Sequence, residues 1–303
     1  MYDAIARNRR KSWLLVALAF LLLFAVAEAF NLYVGGGPAG LLVALAIASA
    51  GTVGSYYFSD KLALAITGAR EVEHQHAPQL VNVVHEMAIA AGLPMPRVMI
   101  VPDPAPNAFA TGRDPEHAVI AVTTGLLERL DREELQGVIG HEMSHVLNRD
   151  TRVTTLVVAV CGAIVMLCDL FWRFSFFGSR RSRSRDDNSG AAAILLVIGI
   201  VTIVLAPLAA ALIQAAVSRK REELADSTAV ALTRNPAGLR RALEKLMGDQ
   251  SVVRKTSRAT AHLWIESPLD REHGGSWLNR MFDTHPPLTQ RINALRTIEN
   301  AGP

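Results

Sequence analysis

The N-terminal part of the chain contains two apolar runs. The first covers residues 13–34 with Glu28 as its only charge, and the second covers residues 39–58. Each is long enough for a spanning helix, which needs about 20 predominantly apolar residues. The uncharged link 35–38, with three glycines and a proline, is typical of a turn. The two runs therefore predict a transmembrane hairpin.

A cleaved signal peptide is the alternative interpretation of the first run. A basic start, an apolar core over residues 14–26 and the triplet Ala27-Glu28-Ala29 imitate one. The apolar character continues past Ala29, however, and a second apolar run follows at once. These two features favour a transmembrane helix.

Two further apolar runs cover residues 153–174, interrupted by Asp169, and residues 191–217, interrupted by Pro207. They predict a second hydrophobic hairpin, which either crosses the membrane or enters it and returns. The basic loop 175–190 between them would be exported if both runs cross, against the tendency of Lys and Arg to stay inside. A nucleic-acid-binding role for its Arg-Ser repeats is less favoured than a solvated connector.

Basic residues near the ends of the runs predict the orientation. The cluster Arg7, Arg9, Arg10 and Lys11 places the N-terminus in the cytoplasm, and each hairpin returns the chain to the side from which it started. The predicted parts are an N-terminal transmembrane hairpin (1–58), a cytoplasmic part (59–152), the second hydrophobic hairpin (153–217) and a second cytoplasmic part (218–303).

The polar segments predict a small sheet and several helices. Apolar residues recur at helical spacing over residues 71–91, and Gly92 and Pro94 end that helix. Asp131 is a typical N-cap for a later helix that extends to about Asn148. Stretches with the alternation or composition of strands cover residues 97–101, 107–112 and 118–122.

Composition narrows the classes of function. Half of the residues are hydrophobic and 19% carry a full charge, which excludes a disordered chain and favours a membrane protein. The formal net charge of +3 is too small to indicate nucleic-acid binding. Both cysteines, Cys161 and Cys168, lie in one apolar run, so any metal site has to be built from histidines and carboxylates.

The helix after Asp131 contains the sequence His141-Glu142-Met143-Ser144-His145, an HExxH pattern. Helical geometry places the two histidines one turn apart on one face, where both imidazoles can bind one zinc ion. Glu142 lies on the adjacent flank, from which its carboxylate can reach a water molecule at the metal. The pattern thus predicts His141 and His145 as ligands and Glu142 as the general base.

A catalytic zinc site needs a third protein ligand. The best candidate is Glu222, in a charged helix directly after the fourth apolar run. Asp226 follows one turn later and can accept the outer N–H of a ligand histidine. Glu223 is the competing ligand, but its neighbour one turn later is Ser227, a weaker orienting group.

These motifs resemble the HtpX family of membrane zinc metalloproteases, bacterial relatives of the CAAX prenyl protease Ste24 in peptidase family M48. The resemblance covers the chain from about residue 60 onward. The stretches that carry it are 106–112, 124–127, 141–145, 221–226, 284–288 and Arg291-Ile292. It implies a mainly α-helical membrane protein with up to four transmembrane or membrane-associated helices and a cytoplasmic gluzincin-like zinc protease domain with a small β-sheet.

The resemblance also implies roles for individual residues. Glu222 would be the third ligand of one zinc ion per chain. The strand with Asn107 and Phe109 would line the cleft, where an extended substrate adds to a sheet edge. A turn residue is the alternative for Asn107, and a core aromatic is the favoured interpretation of Phe109. His285 would either help to stabilise the oxyanion of the reaction or cap the last predicted helix, and both roles stay open.

The predicted function is zinc-dependent hydrolysis of peptide bonds, with Glu142 moving the proton from water to the leaving amine. The family implies quality control of misfolded or damaged membrane proteins at a bacterial inner membrane. Its partners would be protein substrates and the lipid bilayer, with no nucleic acid. The alternatives are a specific processing protease of the Ste24 type and a non-catalytic membrane scaffold, which the presence of Glu142 disfavours.

Overall fold

The computed structural model describes residues 2–34, 37–158, 219–254, 260–266 and 286–301. Most of the second predicted hairpin, its basic loop and His285 lie outside the described residues. The described chain is mainly helical and contains one small mixed sheet. These two features of the predicted fold class are confirmed.

Two long helices form the N-terminal hairpin, namely α1 (Tyr2–Val34) and α2 (Gly37–Thr67), which pack along each other. Among the described helices, α2 has a stretch that is long and apolar enough to cross a membrane, Gly37–Phe58. The apolar stretch of α1, Ser12–Ala25, is shorter. Because α2 continues past the apolar run, its last turns connect the hairpin to the polar part of the chain.

The outer surface of the hairpin is apolar, whereas its interior holds mainly small and polar side chains, together with Leu15 and Leu23. Ser12 and Thr52 are buried, and the Thr52 hydroxyl donates to the Ala48 carbonyl at 2.7 Å. Helices that face lipid show this distribution, because apolar side chains at a lipid boundary need no burial in protein. The exposed large hydrophobic residues are Trp13, Leu14, Leu21, Leu41, Leu42, Val43, Leu45, Ile47, Val53 and Phe58.

A four-stranded sheet follows the hairpin. Its strands are β1 (Arg70–Glu71), β2 (Arg97–Val101), β3 (Ala108–Thr111) and β4 (Val119–Thr123), in the spatial order β1-β2-β4-β3. β2 and β4 are parallel, and the two outer pairs are antiparallel. The three predicted strands are confirmed, and β3 lies at an edge of the sheet.

The helix α3 is shorter than predicted, because it covers Pro78–Ala91 and not residues 71–91. The stretch before it forms β1, and the Val72 N–H continues this pairing by donating to the Val98 carbonyl at 3.0 Å. Pro78 is the first helical residue, and the residue before a proline disfavours helical backbone. The prediction was wrong there because the spacing of Val72 also suits a strand.

The central helix is α5 (Arg132–Leu147). Its predicted N-cap is confirmed: Asp131 accepts the Glu134 N–H at 2.9 Å and the Glu134 carboxylate accepts the Asp131 N–H at 2.8 Å. A Cβ at Gly137 would stand 2.5 Å from the Leu239 nitrogen, so the absence of a side chain permits close packing. The other α-helices among the described residues are α4 (Thr124–Arg129), α6 (Arg219–Thr233), α7 (Pro236–Gly248) and α8 (Leu288–Ala301).

The sheet separates two apolar cores. On one face it packs with α3, α5, α7 and α8 around side chains such as Ile120, Ile139 and Leu243. On the other face, Phe109 and Trp264 pack together with residues that include Leu64 at the end of α2. The hairpin is therefore anchored to the polar part through the last turns of α2.

Candidate metal centre

Three side chains from α5 and α6 converge beside the sheet. The Nε2 atoms of His141 and His145 lie 3.2 Å apart. Glu222 faces both rings, with one carboxylate oxygen 3.6 Å from Nε2 of His141 and the other 3.8 Å from Nε2 of His145. One donor atom from each residue lies within 4.8 Å of the other two. The structure thus brings together the three predicted ligands, while Glu223 is exposed on α6.

The outer nitrogen of each histidine bonds to a carboxylate. His141 Nδ1 lies 2.9 Å from Asp226, as the sequence predicts, and His145 Nδ1 lies 3.2 Å from Asp150. These bonds fix both rings with Nε2 directed at the common centre. Sequence reasoning missed Asp150, although a carboxylate five residues after the motif was a signal. The Asp150 side chain points back toward His145 because Arg149, just after α5, has a left-handed backbone conformation with φ 57°.

Arg291 on α8 is the second residue that sequence reasoning missed. It is 3% exposed, and its guanidinium donates to both oxygens of Asp226, from Nε at 2.9 Å and from Nη2 at 2.6 Å. Nη1 lies 3.8 Å from Glu222. Although burial opposes ionisation, the arginine lowers the pKa of Asp226 to about 2. Arg291 therefore keeps Asp226 charged and oriented toward His141.

The two histidines have opposite electrostatic environments. Burial, aided by the positive charge of Arg291, lowers the pKa of His141 to about 4. For His145, burial also favours the neutral form, but the hydrogen bond to Asp150 and the charge of Glu222 outweigh it and raise the pKa to about 9. The centre thus has an excess of negative charge on the side of His145, which suits a cation.

Glu142 is buried beside the three converging residues, at 2% exposure. Burial raises its pKa to about 7, with Glu222 adding to the rise against the opposing charge of His145. The backbone of Ala110 in β3 hydrogen-bonds to its carboxylate. A carboxyl group in this environment is able to accept and return a proton near neutral pH.

The edge strand β3 is partly occupied by the chain itself. Asn107 is buried; its amide donates to the Glu266 carbonyl at 2.8 Å and accepts the Glu266 N–H at 3.3 Å. The Ile265 N–H donates to the Ala108 carbonyl at 2.9 Å. Phe109 is fully buried, with its ring 4.8 Å from Trp264, so it is a core aromatic. Ala110 is the next residue of β3 whose backbone faces away from the sheet.

The donor set fits zinc. Two imidazole nitrogens and one carboxylate oxygen are the ligands of many catalytic zinc sites, and the carboxylates behind both rings are the usual supporting groups. An HExxH helix with a carboxylate on a separate helix, beside the edge strand of a small sheet, defines the class as a zinc metallopeptidase.

Comparison with known proteins gives the family. Residues 74–299 match peptidase family M48, and the chain belongs to that family. It is 44% identical over 298 residues to a Protease HtpX homolog of Streptococcus gordonii, with 98% of this chain and 99% of the relative covered. A Protease HtpX homolog of Thermoanaerobacter pseudethanolicus is 44% identical over 299 residues, with 98% of both covered.

A solved structure agrees with the fold. The crystal structure of S. mikatae Ste24p superposes with a TM-score of 0.50 at 16% identity, covering 97% of this chain and 67% of that one. At this identity the similarity concerns the fold alone. Family membership and the apolar hairpin together identify the chain as a membrane-bound metalloprotease that uses zinc.

Proposed function

We propose that His141, His145 and Glu222 hold one zinc ion and that Glu142 is the general base of an endopeptidase. The observation that carries this proposal is the convergence of the three donor atoms within 4.8 Å, with Glu142 buried beside them. Zinc, when bound, supplies a Lewis acid that polarises the scissile carbonyl and acidifies water.

The protein residues have separate tasks in this mechanism. A Glu142 carboxylate oxygen accepts a proton from the attacking water, whose oxygen forms the new bond to the peptide carbon. Glu142 then returns the proton to the leaving amine nitrogen as the C–N bond breaks. Asp226 and Asp150 hold the two imidazoles in the orientation in which Nε2 faces the centre.

The substrate is proposed to bind as an extended strand beside β3, by backbone hydrogen bonds. Since Ile265 and Glu266 engage Ala108 and Asn107, pairing would begin at Ala110, next to Glu142. Asn107 then acts by holding the segment 264–266 against β3 and not by touching the peptide.

His285 keeps its two predicted roles, and an alanine variant distinguishes them. If it stabilises the oxyanion, His285→Ala lowers kcat by about a hundredfold or more with an unchanged Tm. If it caps the last helix, the same substitution lowers the Tm, since losing a cap costs about 1 kcal/mol, and leaves kcat unaltered.

We further propose a multi-pass protein of a bacterial inner membrane with the catalytic part in the cytoplasm, acting on misfolded or damaged membrane proteins. The full-length similarity to bacterial HtpX homologues supports this role. Within it, residues 59–152 and 218–303 would form the catalytic part on one side of the membrane, and residues 1–58 and 153–217 the two hairpins. A specific processing protease of the Ste24 type is the second candidate, supported by the shared fold.

The test compares zinc content and cleavage of an unfolded protein for the detergent-purified wild type, Glu142→Gln, Glu222→Ala and Glu223→Ala. We expect Glu142→Gln to keep zinc and lose activity about 10²- to 10⁴-fold. Glu222→Ala should lose zinc, and Glu223→Ala, a change at an exposed neighbour, should match the wild type.

Wild-type turnover by Glu142→Gln would refute its role as the base, and unchanged zinc in Glu222→Ala would refute its role as a ligand. Cleavage of one defined peptide but of no unfolded protein by the wild type would favour the processing protease. Stoichiometric zinc without cleavage of any substrate would favour the scaffold.

A further inference from the structure

A pocket of about 640 Å³ lies between α2 and the sheet, on the part of α2 where the apolar span ends. One wall is a single face of α2, with Val53, Tyr57 and Lys61 among its residues. The other wall consists of Arg97 at the start of β2 and the turn that contains Arg113. None of these side chains belongs to the metal centre.

The position of the pocket is that of a membrane–water boundary. Tyr57 and Phe58 close the apolar stretch of α2, and both rings are more than half exposed. Aromatic residues prefer this level of a bilayer because their rings are apolar and their edges polar. Val53, one turn earlier, is 57% exposed and continues the lipid-facing surface into the pocket.

Cationic groups stand over the aromatic rings. The Lys61 ammonium lies 5.1 Å from the centre of the Phe58 ring, and the Arg113 guanidinium lies 5.4 Å from that of Tyr57. Such contacts hold the cations over the rings without themselves neutralising the charge. Within the described residues Lys61 forms no ion pair with a carboxylate, so its ammonium is available to an anion.

The acidic residues of the pocket are largely neutralised by other partners. Asp60 is buried and pairs with Arg97 at 3.5 Å, and Arg97 also reaches Glu71 at 3.8 Å. Arg113 has Asp114 as a partner at 3.4 Å. Glu116 is exposed at the rim. Lys61 is therefore the cation of the pocket without a carboxylate partner among the described residues, and Arg113, whose Nε faces Asp114, is a second donor beside it.

We propose that this pocket binds the headgroup phosphate of an anionic phospholipid, with Lys61 and Arg113 on the phosphate and an acyl chain along Val53 and Tyr57. A phosphate ester accepts charge-assisted hydrogen bonds from both cations. A net negative headgroup gains from them further, whereas a choline or ethanolamine group places a second positive charge beside them. The lipid would tie the end of α2 to the sheet.

The experiment measures binding of a short-chain phosphatidylglycerol to the full-length protein in neutral detergent by the shift in Tm and by native mass spectrometry. Short-chain phosphatidylcholine and inorganic phosphate are the two other probes. We expect the anionic lipid to bind at least about tenfold more tightly than either. Binding of phosphate alone with equal affinity would show a simple anion site and overturn the lipid assignment, as would equal binding of phosphatidylcholine.

The variants locate the site. The double variant Lys61→Gln/Arg113→Gln should lose about tenfold or more in affinity for phosphatidylglycerol, because two charge-assisted hydrogen bonds are removed. Lys61→Arg, which keeps the charge, should bind as the wild type does. Lys220→Gln changes an exposed cation next to the fourth apolar run but outside the pocket, and should also bind normally.

Equal loss in Lys220→Gln would indicate a diffuse basic surface and refute the pocket, and so would unchanged binding by the double variant. Zinc content confirms that each variant is folded. The readout is lipid binding and not cleavage, so its result is independent of the proposed peptidase mechanism.

Discussion

The hairpin and the metal centre differ in the kind of side chain that each exposes or buries. The hairpin exposes large apolar side chains along α2, such as Ile47 at 54% exposure, and buries mainly small and polar ones. The metal centre buries charged groups, and each finds an opposite charge or a hydrogen bond, as Asp226 does with Arg291. An apolar surface can be left to the bilayer to cover, whereas a buried charge requires partners supplied by the protein itself.

Removing Arg291 tests the metal centre most severely. Arg291→Ala leaves Asp226 as a buried carboxylate without the guanidinium that it accepts from and removes a positive charge 3.8 Å from Glu222, so we expect a loss of about 3–5 kcal/mol in unfolding free energy. Arg296→Ala, on the same helix, removes an exposed pair with Glu244 and should cost at most about 1 kcal/mol. Denaturant unfolding in detergent with a zinc chelator measures both, and equal losses would contradict the burial argument.

The same substitution at two exposed isoleucines tests the hairpin. Ile47 lies in the middle of the apolar stretch of α2, and Ile89 lies on α3 with 68% exposure. In lipid, Ile47→Lys should cost about 3 kcal/mol of insertion free energy. In water, Ile89→Lys should change stability by less than about 0.5 kcal/mol. The fraction of protein in washed membranes reports the first and the Tm the second; normal insertion of Ile47→Lys would show that this face does not meet lipid.

The variant Asp150→Asn tests whether the carboxylates that bond to the ligand histidines strengthen zinc binding. Asp150→Asn should lower zinc affinity about 10- to 100-fold, because His145 loses the group that orients its ring. Asp114 also forms a hydrogen bond with a histidine, His117, but this pair is exposed and does not belong to the metal centre. Asp114→Asn should leave zinc affinity unaltered. Competition with a chromophoric chelator measures both constants, and the role of Asp150 is wrong if the two variants agree.

The smallest effect is expected at the surface pair between Glu244 and Arg296. The hydrogen bond from Arg296, with that from Arg240, holds the pKa of Glu244 below its ordinary value of 4.5. The contribution of the carboxylate is therefore present above pH 4.5 and is lost as the pH falls below it. Solvent screening limits it to about 0.5 kcal/mol. Unfolding of Glu244→Gln at pH 7 and pH 3 should show a small deficit only at pH 7, and salt should reduce it.

Predictions from sequence worked where the determining contacts are local. The HExxH histidines meet because they lie four positions apart on one helix, and Asp226 follows Glu222 by the same spacing. The N-cap of α5 and the end of α3 at Gly92, with φ 64°, also depend on neighbouring residues. The start of α3 was misplaced because Val72 pairs with a strand that is remote in sequence.

Local patterns could not show which remote groups complete the centre. Arg291 lies 65 residues from the aspartate that it holds, and Asn107 lies 159 residues from Glu266. Nothing in the spacing of these residues indicates the contacts, because they depend on how α8 and the segment 264–266 pack on the sheet. Asn107 holds this segment through Glu266, while its place beside a bound substrate stays a prediction.

The apolar helical hairpin, the metal-binding chemistry and the strand beside it could be predicted from the sequence alone, because a run of apolar residues and an i, i+4 pair of histidines act within one helix. The partners of the buried charges and the pocket at the end of α2 depend instead on how the elements pack together. A buried charge is stable only beside an opposite charge or a hydrogen-bond partner. Here the partner comes from an element far away in the chain, so it is known only once the elements are packed.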